Sequence, residues 1–279
     1  MEWKFYEEPA AFGDRIETLL YENEDKNSLF LGIINQIKNG LYEEYYLALA
    51  EDGDRVLAAA LMTPPHPLQW TVFHESPGLA EEFAKLLKES NLEIPGVIGD
   101  KQAAKQFAQV WAAKTGKAVE LQMDEGLYRI DAVAKGLEKS PGTWRVANKR
   151  DAELLEEWYL LFEKDTGMGP SSYKEAAAKI ERFLNDKEIY VWEVQGEVVS
   201  CMKKSRPSKH GISVGFVFTP EKHRRKGYAR TLVAEVTEEL LLEYDFVMLY
   251  TDLKNPTSNK IYSEIGYEQI GNPVHLRFR

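Results

Sequence analysis

The sequence predicts an α/β protein with mixed sheets, laid out as two successive domains of one architecture. Three observations predict it. Apolar runs of strand length alternate with segments whose apolar residues recur at helical spacing. A polar stretch rich in Gly, Ser and Pro, residues 136–142, interrupts the 279-residue chain near its middle. Beyond it the same order of elements returns with almost no shared residues, as tandem copies of one fold would give. The domains are therefore placed at residues 1–138 and 139–279.

In the first half, SLFLGIINQI reads as a helix. YYLALAEDGDRVLAAALM reads as two strands joined at Asp52-Gly53-Asp54, a hairpin turn. A bend at Pro64, Pro65 and Pro67 leads into the strand LQWTVF, and Leu79, Phe83, Leu86 and Leu87 share one face of the next helix. GVIG is a short strand, KQAAKQFAQVWAAKTG a helix ending at Gly116, and AVELQMDEGLYRI strands. In the second half TWRVA is a strand, AELLEEWYLLFEKD and KEAAAKIERFLND are helices, and Asn185-Asp186 is the exit of the latter. EIYVWEVQGEVVSCMKK turns at Gln195-Gly196, and ISVGFVFT places Ile212, Val214, Phe216 and Phe218 on one face. Ala229, Leu232, Val233, Val236 and Leu240 mark a helix running to Tyr244, followed by the strand FVMLY and the helix SNKIYSEIG, stopped by Gly266.

Lys and Arg number 35 against 45 Asp and Glu, a formal net charge of −10. That excess of acid argues against binding nucleic acid or anionic membrane over the whole surface, so any anion site must be local. The single cysteine, Cys201, forms no disulfide within the chain and fits a reducing compartment. MEWKFYEEPAAFGDR carries acid where a signal peptide carries base, and no window approaches 18 uninterrupted apolar residues. The expectation is a cytoplasmic protein that engages neither membrane nor nucleic acid.

Against this acidic background HRRKGYARTL sets Arg224, Arg225 and Lys226 beside Gly227, between a strand and an amphipathic helix. The first turn of such a helix has N–H groups with no intrahelical partner, and the helix dipole adds about half a positive charge. A phosphate there accepts several hydrogen bonds at once. Gly227 allows close backbone approach, Ala229 keeps the first turn free of bulk, and the cations raise the local field. Each exposed dipole contact contributes about 0.3–1 kcal/mol, so a ligand with more than one phosphate is implied. Neither G-x-G-x-x-G nor G-x-x-x-x-G-K-[ST] is present, which disfavours the two commonest glycine-loop nucleotide sites.

A second constellation follows in LYTDLKNPTSNKIYSEIGY. Asn255-Pro256 initiates a turn, Thr257 or Ser258 caps a helix, and Asn259 and Tyr262 bring an amide and a phenol to it. TPEKHRRKGYA, with its R-x-x-G-x-A core, followed by NPTSNKIYSEIGY, resembles the acetyl-CoA-binding segment and following helix of the GCN5-related N-acetyltransferases. The resemblance spans about residues 140–271 and is specific over 212–267. It implies two tandem acyl-CoA N-acyltransferase domains and a sheet splayed between its two central strands. It also implies that the pantetheine arm of acetyl-CoA pairs with backbone at Phe216, Val217 and Phe218. The pyrophosphate would then sit on Arg224, Arg225, Lys226, Gly227, Tyr228 and Ala229, flanked by Asn255 and Asn259. Ala229 stands where many relatives have glycine. In the first half the corresponding WTVFHESPGLAEEF has His74, Glu75 and Ser76 in place of the cations, so that copy reads as degenerate.

The implied activity is acetyl transfer from acetyl-CoA to an amine by direct attack in a ternary complex, without a metal. A non-catalytic acyl-CoA-binding or sensing protein is the alternative. An amine of pKa about 10.4 is mostly protonated at pH 7, and freeing it costs roughly 4–5 kcal/mol, so a base or a carboxylate-relayed water is required. Tyr262 is the general acid for the departing thiolate, by position and by resemblance. Glu163, Asp165, Glu193 and Glu197 are the candidate bases, and a backbone N–H on residues 216–218 polarises the carbonyl. His223 reads as a structural or solvated group, the five histidines lack metal-ligand spacing, and Cys201 lacks the setting of a nucleophile. Trp158, Tyr159 and Phe162 of EEWYLLFEKDTGMG lie where relatives of this fold build the acceptor side, or else are core residues, and the implied acceptor is a small amine or a peptide. Glu235, Glu238, Glu239 and Glu243, lining the exposed side of the helix after the cations, oppose a nucleic-acid reading.

Overall fold

The computed structural model describes residues 1–167 and 170–279, so Met168 and Gly169 of the expected acceptor-side segment lie outside the described residues. In chain order the elements begin with β1 (Glu2–Tyr6), α1 (Pro9–Tyr21), α2 (Ser28–Lys38), β2 (Tyr46–Asp52) and β3 (Arg55–Met62). They continue with β4 (Leu68–Val72), α3 (Leu79–Glu89), β5 (Gly96–Asp100), α4 (Lys101–Thr115) and β6 (Val119–Ile130). Next come β7 (Thr143–Val146), α5 (Ala152–Thr166), α6 (Tyr173–Asn185), β8 (Ile189–Val194), β9 (Glu197–Ser205) and β10 (Gly211–Phe218). Last are α7 (Tyr228–Leu240), β11 (Phe246–Asp252), α8 (Pro256–Ile265), β12 (Glu268–Gly271) and β13 (Pro273–Phe278). The order from β1 to β6 is repeated from β7 to β12, as the sequence pattern implies.

The chain divides into two compact units, one of Met1–Tyr128, Tyr250–Pro256 and Gln269–Arg279, the other of Arg129–Leu249 and Thr257–Glu268. The boundary expected between residues 138 and 139 thus falls inside the second unit. β13, expected in the second domain, belongs to the sheet of the first.

In the first unit β1, β2, β3 and β4 are antiparallel neighbours, with Trp3 opposite Ala50 and Ala60 opposite Trp70. β4 then runs parallel to β5 over Leu68–Trp70 only. β13 lies antiparallel to both β5 and β6, with Val274 facing Gly99 and Asp124. The run RVLAAALM is nearly all apolar because both faces of β3 are covered. Ala58, Ala60 and Met62 join Phe83 and Phe107 of α3 and α4, whereas Val56, Ala59 and Leu61 join Phe12, Ile16 and Leu31 of α1 and α2. Asp100 caps α4 by accepting from the Gln102 and Ala103 N–H groups, and Gly116 ends it in the left-handed conformation.

In the second unit β7, β8, β9 and β10 are antiparallel neighbours, and β10 pairs in parallel with β11 over Gly211–Val214 and Phe246–Leu249. Leu155 and Trp158 of α5 and Ile180 and Phe183 of α6 cover one face of this sheet, with Val191, Cys201, Phe216 and Phe218 beneath. α6 opens with a capping box between Ser172 and Glu175. Gln195 and Gly196 both take positive φ, as the two-residue hairpin turn expected there requires.

Several boundaries differ from the sequence expectation. β1, α1 and β13 arise in segments whose pattern is too short or too mixed to mark them. AVELQMDEGLYRI is one long strand rather than several, and α7 ends at Leu240, four residues early. α8 begins at Pro256, where a missing N–H costs nothing, instead of at a Thr257 or Ser258 cap. Among the described residues no helix is long and apolar enough to cross a membrane, and no cluster of three or more His, Cys, Asp or Glu could hold a metal ion.

Candidate functional site

β10 does not continue the regular strand that its alternation suggests. The register with β9 shifts between Gly215 and Phe218, and Phe216 takes φ +46°, a bulge at a residue that rarely adopts the left-handed region. Non-local packing holds it there. The Phe216 ring meets Tyr159 and Phe162 edge-on at 5.2 and 5.3 Å, and Phe218 lies 5.7 Å from Trp158. Aromatic contacts of this kind contribute about 0.5–1.5 kcal/mol each beyond burial, enough to offset a strained φ. Ser200 donates to the Phe218 carbonyl at 3.1 Å. The parallel ladder with β11 ends at Val214, so β10 runs four residues beyond its pairing on that side. The expected splay is present, and an unpaired strand edge of this kind can bond an extended ligand arm.

The loop after β10 is shaped by charge pairs at its base and by left-handed backbone at its tip. A 3₁₀ turn spans Glu221–His223, and Glu197 accepts from Lys222 at 2.9 Å and lies 3.1 Å from the buried His223 Nε2. Those contacts, Lys222 foremost, hold the Glu197 carboxyl below its ordinary value. Arg224 donates from Nε to the Thr219 carbonyl at 2.9 Å and from Nη2 to Asp165 at 2.8 Å. Arg225 and Gly227 take φ +64° and +77°. Gly227 is the N-cap of α7 and no side chain caps the helix, whose first closing bond runs from the Thr231 N–H to the Gly227 carbonyl. The N–H groups of Tyr228, Ala229 and Arg230 therefore precede the helical ladder beside exposed Arg225 and Lys226, the concave N–H arrangement that suits an anion. A Cβ on Gly227 would stand 2.6 Å from Ser140 Oγ.

Tyr262 is carried on α8, which is tied to α7 by Arg230 and Glu264 at 3.1 Å; just beyond the end of α8 the buried Tyr267 and Thr237 hydroxyls meet at 2.7 Å. Its ring packs on Tyr267 at 6.0 Å. Burial alone pushes this phenol up to about 12. Half-buried Asn259 precedes it by three positions on α8, whereas Asn255, whose N–H donates to the Asp252 carbonyl at 2.9 Å, is counted with the first unit.

Each carboxylate considered as a base already has a partner. Glu193 accepts from Arg145 at 2.8 Å, Asp165 from Arg224, and Glu197 from Lys222. Glu163 is buried and accepts from the Ser171 N–H and hydroxyl, both at 2.8 Å, and from Lys179 at 3.3 Å. Burial would raise its carboxyl, but Ser171 and Lys179 outweigh that and hold it low, so it is an ionised structural group. Burial pushes the Cys201 thiol far up, which removes it as a nucleophile. Ser140 and Thr231, which bond to this loop and helix, were not marked by sequence reasoning, because a Ser-Pro-Gly run reads as a plain linker.

The equivalent junction in the first unit has the same backbone and the wrong charge. Gly78, φ +80°, is the N-cap of α3 and no side chain caps it, yet Glu81 and Glu82 occupy the first turn. With His74, Glu75 and Ser76 in the preceding loop, that helix start offers its N–H groups to an anion and repels it with carboxylates.

The FR47-like protein family model matches residues 195–276, from the turn before β9 through the bulged strand, the loop after it and α8 into β13. An acetyltransferase of the GNAT family from Colwellia psychrerythraea superposes with a TM-score of 0.61 at 12% identity, covering 100% of both chains. A Drosophila protein reaches a TM-score of 0.72 at 11% identity, covering 99% of this chain and 98% of its own. A tandem GNAT protein from the clavulanic acid biosynthesis pathway gives 0.58 at 11% identity, with 99% and 98% covered. No curated protein matches the chain. Residues 195–276 are thus similar to the FR47-like model, and the chain as a whole has the fold of the GCN5-related N-acetyltransferases.

Proposed function

We propose that the protein is an acetyl-CoA-dependent N-acetyltransferase whose donor site lies in the second unit, within the part of it that falls in the domain expected over 139–279. The observation that carries this reading is the β10–α7 junction, where a bulged strand leaves its partner and leads into an uncapped helix start flanked by Arg225, Lys226 and left-handed Gly227. The backbone of Phe216, Val217 and Phe218 suits the amide-bearing pantetheine arm. The N–H groups from Gly227 to Ala229, with Arg224, Arg225 and Lys226, suit its pyrophosphate. Asn259, on α8 of the same unit, would flank the same arm.

In this mechanism a neutral amine attacks the thioester carbonyl, a backbone N–H of residues 216–218 holds the oxyanion, and Tyr262 faces the departing sulfur. A phenol at about 12 would transfer its proton to an ordinary thiolate only at a cost of roughly 5 kcal/mol, against roughly 2 kcal/mol for an unshifted one. A thiolate forming in the same buried place is raised by the same desolvation, which narrows the gap. Tyr262 therefore acts first as a hydrogen-bond donor to developing sulfur charge. With the four carboxylates engaged, amine deprotonation runs through water or through a carboxylate released on ligand binding.

The test is release of free thiol from acetyl-CoA in the presence of amino acids, polyamines, aminoglycosides and peptides. Turnover with one class supports the reading; CoA binding without thiol release from any amine defeats it. That second outcome is the signature of an acyl-CoA-binding or sensing protein, the reading favoured by the engaged state of Glu163, Asp165, Glu193 and Glu197. Replacing Tyr262 with Phe then separates the two, since an enzyme loses turnover and keeps CoA affinity.

A further inference from the structure

Ser140 stands in the stretch between β6 and β7 that the sequence marks as a linker, yet it is bonded to the anion loop. Its Oγ donates to the Lys226 carbonyl at 2.8 Å, and its N–H donates to Thr231 Oγ1 on α7 at 3.0 Å. The two preceding residues extend the attachment. The Glu138 carbonyl accepts from Arg230 Nη2 at 3.0 Å, and Lys139 Nζ pairs with Glu235 at 3.1 Å. Residues 138–140 are thus fastened from the loop tip to the second turn of α7.

The Ser140 hydroxyl acts on the peptide that decides whether the loop can hold an anion. Gly227 carries φ +77°, so the Lys226–Gly227 peptide must present its N–H to the ligand and keep its carbonyl off it. A carbonyl oxygen turned toward a phosphate repels it, and a loop free to flip that peptide offers the ligand two opposite dipoles. Engaging the Lys226 carbonyl from the linker side selects one of them. Ser140 Oγ also stands 2.6 Å from where a Cβ on residue 227 would be, too close for a side chain to share the space.

We propose that Ser140 is a positioning residue for the donor pyrophosphate, setting the Lys226–Gly227 peptide so that its N–H and those after it converge on the anion. The inference rests on the acetyl-CoA reading above and adds a residue outside the motif that carries it. Pantetheine, which lacks the pyrophosphate, separates a positioned loop from a generally weakened site.

CoA and pantetheine are titrated into the full chain and into Ser140→Ala and Ser140→Thr, with melting temperatures recorded alongside. Loss of one such hydrogen bond should weaken CoA by about 3- to 10-fold in Ser140→Ala. Pantetheine affinity should stay unchanged, and Ser140→Thr, which keeps the hydroxyl, should restore CoA binding. Unchanged CoA affinity in Ser140→Ala overturns the proposal, as does a parallel loss of pantetheine binding with a lowered melting temperature. Failure of the wild type to bind CoA overturns the donor reading itself and this inference with it, a result distinct from wild-type binding that Ser140→Ala leaves untouched.

Discussion

Arg224 and Tyr262 show how a residue's partner decides what it can do. Arg224 was legible as a cation beside a helix start, but Asp165, 59 positions earlier in sequence, was read only as a candidate base. The structure makes it the Arg224 counter-ion at 2.8 Å. Both groups are about half exposed, and an exposed pair of this kind is worth about 0–1 kcal/mol, so a pyrophosphate can displace the carboxylate. Asp165→Asn should therefore tighten CoA binding by up to about 5-fold in calorimetric titration, and the gain should shrink at high salt. A weakened affinity would show that Arg224 needs Asp165 to reach the ligand. For Tyr262 the consequence concerns alkali. An unshifted phenol ionises near 10, whereas burial holds this one up to about 12, so its proton is retained through pH 10. No loss of kcat attributable to Tyr262 should be seen up to that pH, and a downturn near 10 that vanishes in Tyr262→Phe would contradict this.

At the scale of elements, the helices were the most legible part, because capping and stop residues are local. Gly116 after α4 and Gly266 after α8 are marked within a few positions, while the Ser172–Glu175 box and Asp100 before α4 lie as close in sequence and were passed over. The β10 bulge was hidden for the opposite reason. Ile212, Val214, Phe216 and Phe218 alternate as a regular strand would, and only Tyr159 and Phe162 on a distant helix force Phe216 into the left-handed region. The anchor between β7 and α5 was hidden in the same way. Arg145 grips Asp151 at 2.7 and 2.9 Å and Glu193 at 2.8 Å, while the Asn148 N–H donates to Asp151. Burial would raise the Asp151 carboxyl, but Arg145 and the Asn148 N–H outweigh it and hold it below its ordinary value. A depressed carboxyl contributes stability that is complete above its unfolded value and is lost as pH falls through the folded one. Asp151→Asn should cost about 2–3 kcal/mol at pH 7 in urea unfolding and flatten the loss of stability below pH 4. Gly227→Ala should cost about 1–2 kcal/mol of global stability and weaken CoA at least 10-fold, since the new Cβ meets both a left-handed φ and Ser140.

For the molecule as a whole, the repeated element order was readable and the allocation of strands was not. Nothing local in PVHLRF says which sheet it joins, because a short alternating strand fits any open edge. The decision comes from the first unit, where Val274, Leu276 and Phe278 enter the core beside Phe107 and Trp111. Leu276→Ala should destabilise the first unit by about 2–4 kcal/mol, read from its own unfolding transition. A fragment cut at residue 138 lacks β13 and should show no cooperative thermal melt by circular dichroism. A sigmoidal melt close to that of the full chain would mean that β5 and β6 close without it.

The placement of β13 also sets a timetable. Domains commonly fold as they leave the ribosome, at roughly 5–20 residues per second. Here the strand that sits between β5 and β6 is translated roughly 145 residues after Tyr128. The first unit to be synthesised must therefore wait on the order of 7–30 s for its missing strand, with the edges of β5 and β6 open to any other chain in reach. Its hazard in a crowded cell is one of timing rather than of final stability, and a chaperone that shields those two edges would act in that interval.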